Sequence, residues 1–252
     1  MTVALVLAGG LKPELSPGEL KAEALIQIGE NYMVEYVVEA LAALDEIKQI
    51  VISGPREIEK LYTTSTIKVV PRGTTLVKSF TKAYQKVPLD TRQILVVTGD
   101  LPLLSPQAVR HFLHTCHYLN GDLFYPLIKR EDCEAKYPGM ERTYIRFREG
   151  VFTGGNLLLI KSAVVEQCLP LVEDFIYLRK KPWAMVVRLN RKLLWALLLK
   201  RLSLQDVEKE AARLLGGVRG VAVCSPFPEI GFDVDKASDL ALVKKLLSAR
   251  KN

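Results

Sequence analysis

Along the first hundred positions, apolar residues fall into short uninterrupted blocks separated by amphipathic stretches. The run VALVL at 3–7 has no polar interruption and gives way to Ala8-Gly9-Gly10, which suits a strand buried on both faces that ends in a turn. A polar loop with Pro and Gly follows at 11–21, then a short strand-like piece, ALIQI at 24–28, and a helical spacing through Met33, Val34, Val37, Val38 and Leu41. IVI at 50–52 and IKVV at 67–70 predict the second and third buried strands. Pro71-Arg72-Gly73 and a helix over about 75–85 come next, and ILVV at 94–97 runs as a fourth strand into Thr98-Gly99-Asp100. Strands alternating with helices predict an α/β fold with a mostly parallel central sheet flanked by helices. Ser105-Pro106 then reads as a helix cap with proline in the first helical position.

After residue 120 the pattern changes. DLFY at 122–125 and YIRF at 144–147 alternate like strands, FTGGN at 152–156 interrupts them, and LLLI at 157–160 is another buried strand, so mixed strand directions are expected. From 163 to about 215 the spacing is helical, VAV at 221–223 returns to a strand, and a final helix follows Asp235 to about 249. The expectation is a single domain over 1–252 with a helical insertion at 163–219 before the last strand.

Composition narrows the function classes. The chain has 252 residues, 49% hydrophobic and 25% charged, enough to bury one large α/β core without disulfide staples. Its four cysteines lie far apart with no C-x-x-C pair, and the chain opens directly on a strand pattern, which together predict a reducing, cytoplasmic setting. The longest apolar run, 193–199, falls well short of the roughly 20 residues a membrane span needs. Net charge is +7, and the segment 179–219 alone carries eleven Lys/Arg against three Asp/Glu. Such a local excess favours an anionic partner: a phosphorylated substrate, acidic lipid heads or a nucleic acid backbone. Nucleic acid is not expected, since the basic segment lacks an aromatic platform or a known module. The basic, Leu-rich stretch 188–202 reads either as a core helix or homodimer contact, or as a peripheral contact with a membrane or lipid-linked acceptor.

Four groups of residues could carry chemistry with phosphates or an acceptor. Gly9-Gly10 bares backbone N–H groups where an anion could approach, although a plain turn has the same residues. Asp100 stands at the carboxyl end of a buried strand, where open α/β sheets place their ligand crevice; it is either a ligand for a divalent cation or a turn cap. Asp233 and Asp235, two residues apart, share a face of an extended segment and could complete a metal site, or could be a solvated charge and a helix cap. Thr153, Gly154, Gly155 and Asn156 offer a hydroxyl, an amide and close backbone approach for an acceptor, with Arg142 and Thr143 just upstream; a bulge and a strand end are the alternatives. His111, His114 and His117 spread around a helix and complete no known metal spacing.

In order, VLAGG at 6–10, ALIQIG at 24–29, MVEYVVEAL at 33–41, TGDLPL at 98–103, FTGGN at 152–156 and FDVDKASDL at 232–240 resemble the motifs of the nucleotidyltransferases related to molybdopterin guanylyltransferase. The resemblance spans nearly the whole chain. It implies a GT-A-like fold and a nucleoside triphosphate over the first strand-loop, at Leu7, Ala8, Gly9 and Gly10 with Gly73 and Gly99. It also implies Mg²⁺ held by Asp100 and a C-terminal acid, Asp235 fitting best, and transfer of a nucleoside monophosphate to a small anionic or hydroxylated acceptor with loss of pyrophosphate. A glycosyltransferase of the same fold and a non-catalytic nucleotide-binding protein are the alternatives. In one respect the chain departs from the family: Glu23 stands where a lysine usually precedes Ala-Leu. Lys12 and Lys21 are then the candidates to neutralise phosphate charge, since phosphoryl transfer depends on cations around the reacting oxygens.

Overall fold

A computed structural model describes residues 1–11, 15, 22–62, 64–170, 195, 199 and 201–251. Lys12, Lys21 and most of the basic stretch 188–202 lie outside the described residues.

Among the described residues, the buried runs form the centre of a nine-stranded sheet. β1 (Thr2–Leu7) lies between β4 (Ile47–Gly54) and β6 (Gln93–Thr98), parallel to both, and β5 (Ile67–Pro71) extends the parallel part beyond β4. Beyond β6 the directions mix, as the pattern after residue 120 predicts. β10 (Leu157–Lys161) runs antiparallel between β6 and β7 (Leu123–Lys129). β9 (Gly150–Gly154) meets the far end of β7, and β8 (Ile145–Phe147) is the edge beyond it. β11 (Gly220–Ser225) pairs parallel with β7.

Alternation along β1 supplies both faces of the core, since successive strand side chains point to opposite sides. Ala4 and Val6 pack with α1 (Met33–Ala42) and α3 (Pro106–Tyr118), while Val3 and Leu5 pack with Ala83 of α2 (Leu76–Tyr84). The cap at Ser105 is where the sequence puts it, and α2 has a second that no motif marks. Ser105 Oγ accepts from Ala108 N at 3.2 Å behind Pro106, and Thr75 Oγ1 accepts from Lys78 N at 3.1 Å. A third apolar cluster joins Ile28, Met33 and Leu103 to Phe232, Val234 and Val243, tying the last helix, α6 (Ala237–Lys251), to the front of the chain.

Two local expectations need correction. The piece at 24–28 is mostly not a strand: Leu25 N bonds Ala22 O and Ile26 N bonds Glu23 O, closing a 3-10 turn at Glu23–Leu25. Only Gln27–Ile28 (β2) remains extended, in a two-residue ladder with Asn31–Tyr32 (β3). The strand expected at 122–125 continues to Lys129, straight through Pro126. A helix with no apolar periodicity, α4 (Arg130–Lys136), follows it, and α5 (Leu204–Leu214) precedes β11.

Candidate functional site

The carboxyl ends of β1 and β6 are pressed together. Gly99 N donates to Leu7 O at 3.0 Å, and a Cβ at Gly99 would lie 2.9 Å from the Ala8 Cβ, so a side chain there would force the strand ends apart. Arg72 caps the loop from the β5 side: its Nη1 donates to Gly9 O at 3.0 Å, and its backbone N to Gly54 O at 2.9 Å. Gly73 turns into α2 so closely that a Cβ would meet Lys78 C and Ser79 N at 2.5 Å, and its N–H donates to Ser79 Oγ at 2.9 Å. Leu7, Ala8, Gly9, Gly73 and Gly99 are thereby gathered at one end of the sheet. Gly10 completes the loop, with the Glu23 carboxylate packed directly against its α-carbon where a Cβ would have to go.

Two residues beyond β6, the chain supplies an acid, and the C-terminal segment brings two more. Val234 N donates to Asp100 O at 3.0 Å, which docks the segment carrying Asp233 and Asp235 onto the β6 end. Carboxylate oxygens of Asp100, Asp233 and Asp235 lie within 4.8 Å of one another, with Asp100 buried, Asp233 half-buried and Asp235 exposed. Among the described residues this is the one group of three or more His, Cys, Asp or Glu side chains spaced to share an ion. The donor set fits a hard divalent cation: opposite oxygens on Mg²⁺ stand about 4.2 Å apart at bond lengths of about 2.1 Å, within reach of small side-chain adjustments.

Arg142 sits beside these acids, with a different partner from the one expected of it. Its guanidinium grips Asp233, Nη1 to the carboxylate and Nη2 to the Asp233 backbone O at 3.0 Å, and it lies 5.4 Å over the Phe232 ring. Thr143, its neighbour, is exposed. Burial pushes the Asp233 carboxyl above its ordinary range, Arg142 pulls it down, and Asp100 and Asp235 push it up. Asp239 accepts from the backbone N–H groups of Asp235 and Lys236 at 3.1 and 3.0 Å, fixing the chain where α6 begins.

The stretch from Thr153 to Asn156 carries the chain from β9 to β10. Gly155 N donates to Pro126 O and Asn156 N to Ile230 O, both at 2.9 Å, and a Cβ at Gly231 would stand 3.3 Å from Gly154 O. The candidate acceptor residues therefore lie against the turn that leads into Asp233.

A residue with no motif to mark it secures that turn. Glu229, 2% exposed, accepts from Ser105 Oγ at 2.9 Å and from Lys136 Nζ at 2.7 Å, joining the 3-10 turn Pro228–Gly231 to the cap of α3 and the end of α4. Only a buried acid's need for partners could have flagged it, and burial is not readable from one glutamate. The three histidines take aromatic neighbours: His111 is 5.2 Å from Phe227, and His114 and His117 meet Tyr118 edge-on. No helix among the described residues is long and apolar enough to cross a membrane.

Comparison with known proteins follows the same lines. A family model described as the MobA-like NTP transferase domain matches residues 4–206. A solved structure from Thermus thermophilus, described as a hypothetical transferase, is 36% identical over 95% of this chain and 100% of its own, with a TM-score of 0.84. The 4-diphosphocytidyl-2C-methyl-D-erythritol synthase of Anaerococcus prevotii shares the fold at 11% identity over 98% of this chain and 96% of its own, TM-score 0.62. A nucleotidyl transferase from Methanothermobacter does so at 17% identity over 100% and 99%, TM-score 0.59. No curated protein sequence matches the chain significantly.

Proposed function

Because the chain belongs to the MobA-like NTP transferase family, we propose that it moves a nucleoside monophosphate from an NTP to a phosphorylated or hydroxylated acceptor and releases pyrophosphate. The observation that carries this reading is the meeting of Asp100, Asp233 and Asp235 at the end of β6, one strand from the glycine loop. Asp100 and Asp235 would hold Mg²⁺, with Asp233 clamped beside them by Arg142. When bound, the cation offsets charge on phosphate oxygens and stabilises the charge that develops at the reacting phosphorus. Gly9 and Gly10 form the loop along which the nucleotide would lie, and Gly73 and Gly99 keep the surrounding strand ends close. Thr153, Gly154, Gly155 and Asn156 present the acceptor from the β9 side. A phosphate acceptor is already a nucleophile and requires no general base, which fits a site built of carboxylates and glycines.

The test is pyrophosphate release with each of the four NTPs and a panel of phosphorylated and hydroxylated acceptors, with and without Mg²⁺. Product formation that needs an acceptor supports the reading, and full turnover by Asp100→Asn overturns it. A second reading, a nucleotide-binding protein without transfer activity, is favoured by Glu23 at the lysine position. It predicts binding with no product from any acceptor.

A further inference from the structure

We propose that Arg142 is a specificity-determining residue of the acid group at the end of β6. Its guanidinium cancels one of the three negative charges there, which lowers the affinity for cations, and lowers it more steeply for a trivalent ion than for a divalent one. The inference rests on the cation reading of Asp100, Asp233 and Asp235 and adds to it the charge that the site presents. Arg142 is held on several sides. Its Nη1 donates to the Asp233 carboxylate, its Nη2 to the Asp233 backbone O at 3.0 Å, and its guanidinium carbon lies 5.4 Å from the centre of the Phe232 ring. Phe232 is fully buried, in the apolar cluster that also anchors the last helix. One residue earlier, Glu141 accepts from Lys236 Nζ at 2.6 Å, so the chain at 141–142 is tied to the chain at 233–236 twice. The Arg142 and Asp233 side chains are only 11% and 18% exposed, so solvent screens the pair weakly. Because carboxylate oxygens of the three acids lie within 4.8 Å of one another, a positive charge fixed on one acid is felt by an ion shared among them. Mg²⁺ that serves phosphate substrates takes one or two carboxylates and leaves its remaining positions to phosphate and water. Three acids exceed that need, and the guanidinium offsets the surplus charge.

Direct cation titration of the full chain at neutral pH tests this, with Mn²⁺ followed by isothermal titration calorimetry and Tb³⁺ by its luminescence. Arg142→Gln removes the positive charge and should tighten Mn²⁺ about tenfold and Tb³⁺ about thirtyfold, since Coulomb energy scales with the charge of the ion. Arg142→Lys keeps the charge, loses the fork, and should stay within about threefold of native for both ions. Weaker binding of both ions by Arg142→Gln, the outcome of a loosened segment, overturns the proposal, and so does equal tightening of the two. Asp233→Asn has the opposite sign, because it leaves Arg142 uncompensated, and should weaken Mn²⁺ about tenfold and Tb³⁺ about thirtyfold. Combining Arg142→Gln with Asp233→Asn removes the pair as a unit and should return both affinities to within about threefold of native. A double variant that binds as weakly as Asp233→Asn alone overturns the charge offset. The site itself is checked separately. Mn²⁺ affinity left unchanged by Asp100→Asn overturns the cation reading, whereas a loss in Asp100→Asn with no difference between native protein and Arg142→Gln overturns only the role of Arg142.

Discussion

The two ends of the sheet treat aspartate in opposite ways. At the end where β7 begins, Asp122 is satisfied by the scaffold: Lys161 Nζ donates to it at 3.0 Å and the Arg219 backbone N–H at 3.1 Å, and these bonds hold its carboxyl below the ordinary aspartate range. At the end where β6 finishes, Asp233 has Arg142 for a partner but also faces Asp100 and Asp235, and with its burial the balance lies above that range. Three carboxylates crowded beside Arg142 raise one another's cost of ionisation, an arrangement that clusters at functional sites. The crowded end is where the proposed cation would bind, whereas Asp122 has Lys161 and the Arg219 backbone for partners.

Removing acids from the crowded end should give the largest effect. Asp100→Asn or Asp235→Asn is expected to lower kcat for transfer by about 10²–10³, the scale of losing one electrostatic stabiliser of the transition state, with the fold retained by circular dichroism. A smaller loss would make these acids bystanders and leave the contrast between the two ends without functional content. Next in size is the brace behind them. Glu229→Ala strips Ser105 and Lys136 of their shared buried acceptor and should cost about 1–3 kcal/mol in urea denaturation. An unchanged midpoint would mean that the turn before Asp233 is held by its apolar contacts alone. Then comes the cation itself. Mg²⁺ at ten times its dissociation constant should stabilise the native protein by about 1.4 kcal/mol, seen as a rise in Tm, and Asp100→Asn should lose most of that rise. An identical rise in both proteins would place the ion elsewhere.

The sequence was most informative where a single element carries the signal. The apolar blocks of β1, β4, β5 and β6 and the cap Ser105 are local patterns, and each reappears in the fold. The acid group was half legible: Asp100 at a strand end and two acids two residues apart could be named, but their meeting depends on a backbone bond between residues 100 and 234. Partner choice was not legible. Arg142 has the same composition whether it faces an acceptor phosphate or Asp233, and tertiary placement alone puts it on the carboxylate. The same holds for Glu229, and for Glu23, whose departure from the family pattern shows in the sequence while its contact with Gly10 does not.

The smallest effect belongs to the satisfied end and fixes the sign of the comparison. Asp122 is lowered in the folded protein, so its ionised form is the one that folding favours. Its contribution is fully present above the unfolded value of about 3.9 and is lost as pH falls through the lower folded value. Asp122→Asn should therefore be less stable than the native protein at neutral pH, by less than about 1 kcal/mol because both cationic partners are partly exposed. The two melting curves should draw together as pH drops below about 4. Asp233, raised in the folded state, has the opposite dependence: its stabilising share belongs to low pH and disappears as pH rises through the folded value. If the gap between Asp122→Asn and native protein were instead to widen toward acid, the carboxylate would be strained at this end too, and the contrast between a relaxed and a crowded end of the sheet would fail.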